Sequence, residues 1–344
     1  MKKLSVFSFS LCVMTAACFL IFVFQQHFFS HALLTGSYDR RFTFVSSIAN
    51  EGYWGSAAYG MKTEDLLQHT NTKFIGLTQY TEQDMASAIT SSIHSDVDGI
   101  ITVGSHQEQI VNALKAACEC EIPVVLIDTD SSEINRICYI GTDNYKAGQL
   151  AGEDMTSDVS EPLHVAVILS SLSSDNQSER LRGFEEELAR HPGCSVETVL
   201  EAHSSLLFLN EMLPHTLKEN PTINAIFCAE GYSSSIVGKI LDSMGSDYND
   251  IKVVAFDKME DTLHYVESGR YFSTIVQQSD KMGELAVKVL NDYCNGILPE
   301  SDIIYTDSFS IRKDNFDTVQ KYESEGVTWH IYNGNILQTP QKEN

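Results

Sequence analysis

Basic residues are scarce in this chain, with 23 Lys and Arg against 47 Asp and Glu and a formal net charge of −24. Lys2 and Lys3 are the only residues of these four types in the first 35, so the rest carries 21 basic side chains against 47 acidic ones. A surface that acidic repels phosphate backbones and anionic headgroups, which excludes nucleic acid as a partner. Catalytic signatures are also missing. The eleven histidines show no His-Glu-x-x-His spacing, and there is neither a phosphate loop nor a Gly-x-Gly-x-x-Gly. Gly231-Tyr-Ser-Ser-Ser235 sits at a strand-to-helix turn, as a nucleophile elbow would, yet Ser235 stands where the second glycine belongs and no triad order follows. Of eight cysteines, Cys12 and Cys18 lie in an apolar amino-terminal run, and Cys118, Cys120, Cys138, Cys194, Cys228 and Cys294 match no zinc pattern. They read as small buried hydrophobes. The expectation is a protein that is not an enzyme and has no metal or cofactor.

Residues 4–24 carry no charge and follow Met-Lys-Lys. About 20 apolar residues can span a bilayer, and flanking lysines stay cytoplasmic, which puts the rest of the chain outside the cell membrane. Three readings compete for residues 1–36: a retained anchor, a cleaved signal with Ser30 to Ala32 as its best site, and a lipoprotein whose Thr15-Ala-Ala-Cys18 resembles a lipobox. All three give an extracytoplasmic protein. A basic helix-turn-helix at the front, as a DNA-binding relative would need, is absent.

Beyond a polar joint at Ser37 to Arg41, short apolar strands alternate with amphipathic helices. Strands are expected at Phe42–Ser47, Lys73–Thr78, Gly99–Val103 and Pro123–Ile127, with helices past Trp54, over Glu82–Ile93 and over Gln107–Cys118. Tyr139 to Gly152 reads as a strand running into a helix and forms a seam, after which the pattern restarts. Strands Leu163–Leu169, Ser195–Leu200, Ile223–Cys228, Ile251–Phe256 and Tyr271–Gln277 alternate with helices Glu179–Arg190, Leu206–Glu219, Tyr232–Met244, Glu260–Gly269 and Asp280–Tyr293. Such an order demands crossover connections and hence mostly parallel sheets buried on both faces. The fold class expected is α/β, with two doubly wound lobes and no low-complexity linker between them.

Open parallel sheets bind ligands beyond the carboxyl ends of their strands. Standing there are Glu51, Tyr53 and Trp54; Asp128, Thr129 and Asp130; Glu230; Asp257; and Gln277, with Arg180 at the start of the helix expected at 179. Ring faces, carboxylates, an amide and a guanidinium on one cleft suit a polyhydroxylated ligand. Structural readings compete: Tyr53 and Trp54 as helix-start packing, Asp128 and Asp257 as caps, Arg180 paired with Glu179 or Asp175, and Glu51 and Asp130 as solvated loop charges. If Glu51, Asp128, Asp130, Glu230 and Asp257 all face the cleft, one arginine balances five carboxylates, which favours a neutral or amino-bearing polyol over an anionic sugar.

Six segments in order carry a family resemblance: Tyr53-Trp54, Ile122-Pro-Val-Val-Leu-Ile-Asp128, Ile140-Gly-Thr-Asp-Asn144 with Gly148, Glu179-Arg-Leu-Arg-Gly-Phe184, Val253-Val-Ala-Phe-Asp257, and Thr274-Ile-Val-Gln277 with Gly283. Over about Phe42 to Arg312 the chain resembles the type I periplasmic binding proteins typified by ribose and galactose binders. The resemblance implies stacking by Tyr53 and Trp54 and hydrogen bonding by Asp128, Arg180, Asp257 and Gln277. Glu230 falls where ribose binders usually carry asparagine, Thr129 where they carry arginine, and Ser204 and Ser205 near an often aromatic position. Also implied are three interlobe crossings, with Thr142, Asp143, Asn144 and Gln278 as hinge residues and a further one near Tyr305 to Phe309. The lobes would comprise residues 37–142 with 278–306 and residues 143–277 with 307–325, followed by a polar tail over 326–344. The implied function is capture of a small sugar or polyol for a membrane ABC permease, or alternatively signalling to a receptor kinase or chemoreceptor.

Overall fold

Apolar runs such as Gly99–Val103 and Val124–Ile127 have no polar alternation, so they are stable only with both faces covered. The computed structural model describes residues 38–48, 52–78, 80–158, 160–203 and 205–317, and the backbone of 329–332 and 335–338. In it these runs form the middles of two six-stranded sheets. The first contains β1 (Arg40–Ser46), β2 (Thr70–Gly76), β3 (Gly99–Val103), β4 (Val124–Ile127), β5 (Cys138–Thr142) and β11 (Ile303–Thr306). Its strand order is β11-β5-β4-β3-β1-β2 and every pairing is parallel. The second contains β6 (His164–Leu169), β7 (Ser195–Glu201), β8 (Ala225–Cys228), β9 (Lys252–Phe256), β10 (Ser273–Gln277) and β12 (Ser308–Arg312), ordered β12-β10-β9-β8-β6-β7. Only its edge strand β12 runs antiparallel.

Helices cover both faces. Those of the first lobe are α1 (Tyr53–Gln68), α2 (Glu82–Ile93) and α3 (Glu108–Glu119). Next come α4 (Asn144–Thr156), α5 (Asp175–Leu188), α6 (Leu206–Glu219), α7 (Gly231–Met244) and α8 (Glu260–Ser268) of the second lobe, and then α9 (Ser279–Cys294). Each sheet thus lies between two apolar clusters, one on each face. In the first lobe α1 crosses α9 where an added Cβ on Gly60 would lie 1.8 Å from the Asp280 carbonyl oxygen. In the second lobe α4 crosses α5 the same way, with Gly148 facing the Arg180 carbonyl oxygen at 2.0 Å. The two lobes therefore repeat one packing solution.

The chain passes between the sheets three times: from β5 into α4, from β10 into α9, and from β11 directly into β12. Two expectations need correction. Helix α5 begins at Asp175, four residues before the expected start, so the end of the polar loop 170–178 is helical and Asp175 supplies the acidic first-turn residue that the helix dipole favours. Within the expected polar tail, Trp329–Tyr332 and Asn335–Gln338 pair as an antiparallel hairpin. The six cysteines beyond the apolar segment are free thiols, with Cys138 and Cys228 buried in strands and Cys120 exposed. Among the described residues no helix is long and apolar enough to cross a membrane. The segment 4–24 lies outside those residues, as do Glu51 and Ser204.

Candidate functional site

The carboxyl ends of β4 and β9 end alike. Asp128 and Asp257 both adopt left-handed backbone geometry, at φ 66° and 63°. Such a conformation is uncommon outside glycine, though Asp tolerates it better than most, and it persists where surroundings over-determine it. Here they do. The Asp128 amide donates to the Ile140 carbonyl at 3.0 Å and the Asp257 amide to Ile275 at 2.8 Å. A hydroxyl on the adjacent strand then fixes each aspartate carbonyl: Tyr139 Oη donates to Asp128 O at 2.8 Å and Thr274 Oγ1 to Asp257 O at 2.6 Å. One carboxylate from each lobe is thereby held at the rim of its sheet.

Their side chains meet different partners. Tyr53 Oη donates to Asp128 Oδ1 at 2.6 Å and Thr129 Oγ1 to Oδ2 at 2.9 Å. Burial and then the negative charge of Asp128 push the Tyr53 hydroxyl well above its ordinary pKa, so it stays a proton donor. Trp54 sits edge-on to Tyr53 with ring centroids 4.8 Å apart and is only 8% exposed, packed near Phe44 in the core of the first lobe. For Trp54 the geometry is that of helix-start packing, with Tyr53 as the half-buried partner of the pair.

Asp257 accepts from Gln277 Nε2 at 2.9 Å, and burial raises its pKa to about 6 against the opposing pull of the Arg180 charge and the Gln277 bond. Arg180 is 3% exposed. Its Nε donates to Asn144 Oδ1 at 2.8 Å, Nη1 to the Ala229 carbonyl at 2.9 Å and Nη2 to Gln277 Oε1 at 3.1 Å, while the guanidinium lies 3.9 Å over the Phe256 ring. Gln277 Oε1 also accepts from Thr142 Oγ1 at 2.8 Å. Arg180 and Gln277 thus tie the Asp257 carboxylate to two of the interlobe crossings, at Thr142 to Asn144 and at Gln277. Asp143 caps α4 through the Lys146 amide, and Gln278 occupies the cap position of α9.

Three carboxylates expected on the cleft are engaged elsewhere or undescribed. Asp130 makes a two-pronged pair with Arg136, a cation that the sequence pattern did not single out. Glu230 caps α7, accepting from the Tyr232 amide at 2.6 Å and the Ser233 amide at 2.8 Å. Glu51 lies outside the described residues. Asp130 and Glu230 thus have partners of their own, while Arg180 reaches Asp257 through Gln277. Ser205 caps α6.

Contacts also form directly between the lobes at the cleft rim. His106 Nε2 lies 2.9 Å from Asp175 Oδ2 and Asn176 Nδ2 donates to Thr129 Oγ1 at 3.3 Å, while within the first lobe His106 Nδ1 lies 3.5 Å from Glu133 Oε1. Chiefly the bond to Asp175 raises the His106 pKa. Of these, Thr129 was expected at the cleft and Asp175 only as a partner of Arg180, whereas His106, Glu133 and Asn176 were not singled out in the sequence. His106 follows the carboxyl end of β3, a usable signal, whereas Asp175 and Asn176 were hidden in a stretch read as loop.

Two parallel-sheet lobes with three crossings, facing each other through strand-end polar groups, define the type I periplasmic binding protein fold. Residues 42–297 match the periplasmic binding protein domain family. The chain belongs to that family. It is 25% identical over 189 residues to the ribose import binding protein of Salmonella typhimurium, a match covering 55% of this chain and 63% of that one, so it spans under two thirds of that relative's length. Among solved structures it is similar to a glucose-galactose binding protein from Geobacillus stearothermophilus, at 28% identity and a TM-score of 0.74 over 80% of this chain and 98% of that one. A chain from the XylFII-LytSN complex matches at 28% identity and a TM-score of 0.70, covering 80% and 98%.

Proposed function

We propose that this is an extracytoplasmic solute-binding protein, tethered through residues 4–24, that captures a small neutral sugar or polyol between its lobes and presents it to a membrane ABC permease. The observation carrying this is the pair of strand-end aspartates, one per lobe, with Arg180 and Gln277 joining the second to the interlobe crossings. Asp128, Asp257, Gln277 and Arg180 offer acceptors and donors to vicinal hydroxyls, Tyr53 offers a ring face, and Thr129 and Glu230 border them. Residues 37–142 with 278–306 and residues 143–277 with 307–325 act as the two closing bodies, with Thr142, Asp143, Asn144 and Gln278 at the hinge. A ligand touching both lobes favours the closed state, and a 10⁴-fold preference, about 5.5 kcal/mol, converts mostly open to mostly closed. Sugar-binding relatives support this ligand class.

Thermal denaturation of the protein against a panel of monosaccharides, polyols and amino sugars tests it. A true ligand at a hundredfold excess over Kd adds about 2.7 kcal/mol of stability; no shift with any of them would overturn the sugar reading. The alternative, that closure is read by a signalling receptor, is favoured by the similarity to a chain solved with LytSN. Ligand-dependent stimulation of ATP hydrolysis in permease-containing vesicles, as against ligand-dependent binding to an isolated receptor ectodomain, separates the two.

A further inference from the structure

A cavity of about 360 Å³ opens between the first turns of α1 and the segments that follow β9 and β10. Its inner end is formed by Tyr53, Asp257 and Gln277, all part of the proposed site. It continues outward past them. Ser56 and Tyr59 stand at i and i+3 and so share one face of α1, with Gly52 at its cap position. Gly52 and the neighbouring Gly55 have no side chain and Ser56 a short one, which leaves a gully along the helix surface. At its outer end the Tyr59 ring is 71% exposed, and Met259 of the opposite lobe forms the facing wall. At 1.5 Å per residue the run from Gly52 to Tyr59 is about 10 Å long, longer than one pyranose ring. The volume falls within the range of sites that enclose small organic ligands.

We propose that this gully is a second sugar subsite and that the ligand is a disaccharide, its inner unit held by the strand-end carboxylates and its outer unit lying between Tyr59 and Met259. The chemistry of the walls changes along the gully in the way such a ligand requires. Carboxylate and amide groups line the inner end, where hydroxyls need partners. Tyr59, Met259, Ser56 and Lys258 line the rest of the gully, where a ring face and a thioether meet the C–H surface of a second ring and the lysine ammonium and serine hydroxyl serve its hydroxyls. The proposal rests on the sugar-binding reading above.

Calorimetric titration of the whole protein with monosaccharides and the disaccharides built from them tests it. The expected result is a disaccharide that binds at least tenfold more tightly than either component. Ser56→Trp fills the gully and is expected to abolish that advantage while leaving the monosaccharide Kd within twofold, which also reports correct folding. Tyr59→Ala, at an exposed position, is expected to weaken the disaccharide several-fold and the monosaccharide not at all. If monosaccharides bind and no disaccharide exceeds them, or if both variants weaken the two ligand sizes equally, the second subsite is refuted while the sugar-binding reading stands. Absence of binding to every sugar would overturn that reading itself, and this inference with it.

Discussion

The two lobes are built alike but end differently. Each presents an aspartate with left-handed backbone geometry after a central strand, each fixes that aspartate through a carbonyl and a hydroxyl of the next strand, and each crosses two helices at glycines. In the first lobe the carboxylate is answered by two hydroxyls, those of Tyr53 and Thr129. In the second it lies beside a buried guanidinium and a glutamine amide that also reach the interlobe crossings. The same strand-end chemistry thus has local partners in one lobe and partners on the interlobe crossings in the other. Repetition of the scaffold sets where a polar group stands; its neighbours set what it is coupled to.

The largest expected effect tests that asymmetry. Arg180→Met removes the donors to Asn144, Ala229 and Gln277 and leaves buried acceptors without partners, so stability should fall by about 3 kcal/mol or more. Ligand affinity should be lost with it. Urea denaturation, with the Arg136→Met variant of the first lobe as comparison, measures the difference; a smaller loss for Arg180→Met than for Arg136→Met would break the comparison.

Next come the helix crossings. Gly60→Ala and Gly148→Ala each push a methyl group into a backbone carbonyl, and each should cost roughly 1–3 kcal/mol by overpacking. Near-equal losses in thermal melts would confirm that the lobes share one packing solution, and a neutral outcome for one of them would show that they do not.

The aspartates should respond unequally to neutral replacement. Asp128→Asn loses part of the acceptor capacity that holds Tyr53 and Thr129, at about 1 kcal/mol. Asp257→Asn removes a carboxylate whose charged form burial already disfavours, so its folding penalty near neutral pH should be the smaller of the two. Comparing the two melting curves at pH 7 and pH 5 checks this. A group whose pKa is raised by folding stabilises most below its ordinary value and loses that contribution as pH rises through the folded one. The Asp257→Asn variant should therefore be less sensitive than wild type to pH between about 6 and its ordinary range near 4.

The smallest effect lies at the rim. Protonated His106 faces Asp175 and Glu133, with Asn176 and Thr129 nearby. Its raised pKa means that the interlobe contact is fully present below about 6.5 and fades as pH rises through the raised value. For so exposed a pair, ligand affinity should be only a few-fold higher at pH 6 than at pH 8 from this source. The difference in pH profile between wild type and His106→Gln isolates it from Asp257, and identical profiles would remove His106 from closure.

Much of the architecture is legible in the sequence alone. Alternating apolar strands and amphipathic helices implied two parallel-sheet lobes, and strand-end position pointed to Tyr53, Asp128, Arg180, Asp257 and Gln277. The same positional rule placed Trp54, Asp130 and Glu230 with them, whereas the fold directs Trp54 into the core, Asp130 to Arg136 and Glu230 to the amides of α7. Strand ends are where ligands bind, but they are also where helices begin and need caps. Asp175 and Asn176 were unreadable because a polar run without periodicity looks like a loop until a dipole-favoured first turn and packing against α4 make it helical.

By itself the sequence determined the lobes and their rims, since burial of a strand or a helix face depends on residues a few positions apart and their spacing is written in the chain. Only the tertiary structure decided which carboxylates remain available, which aspartates take the left-handed conformation and which side chains bridge the cleft. Those outcomes depend on which groups the fold brings to within about 3 Å, whether six residues away, as Arg136 is from Asp130, or 97, as Gln277 is from Arg180, a relation that local pattern does not encode.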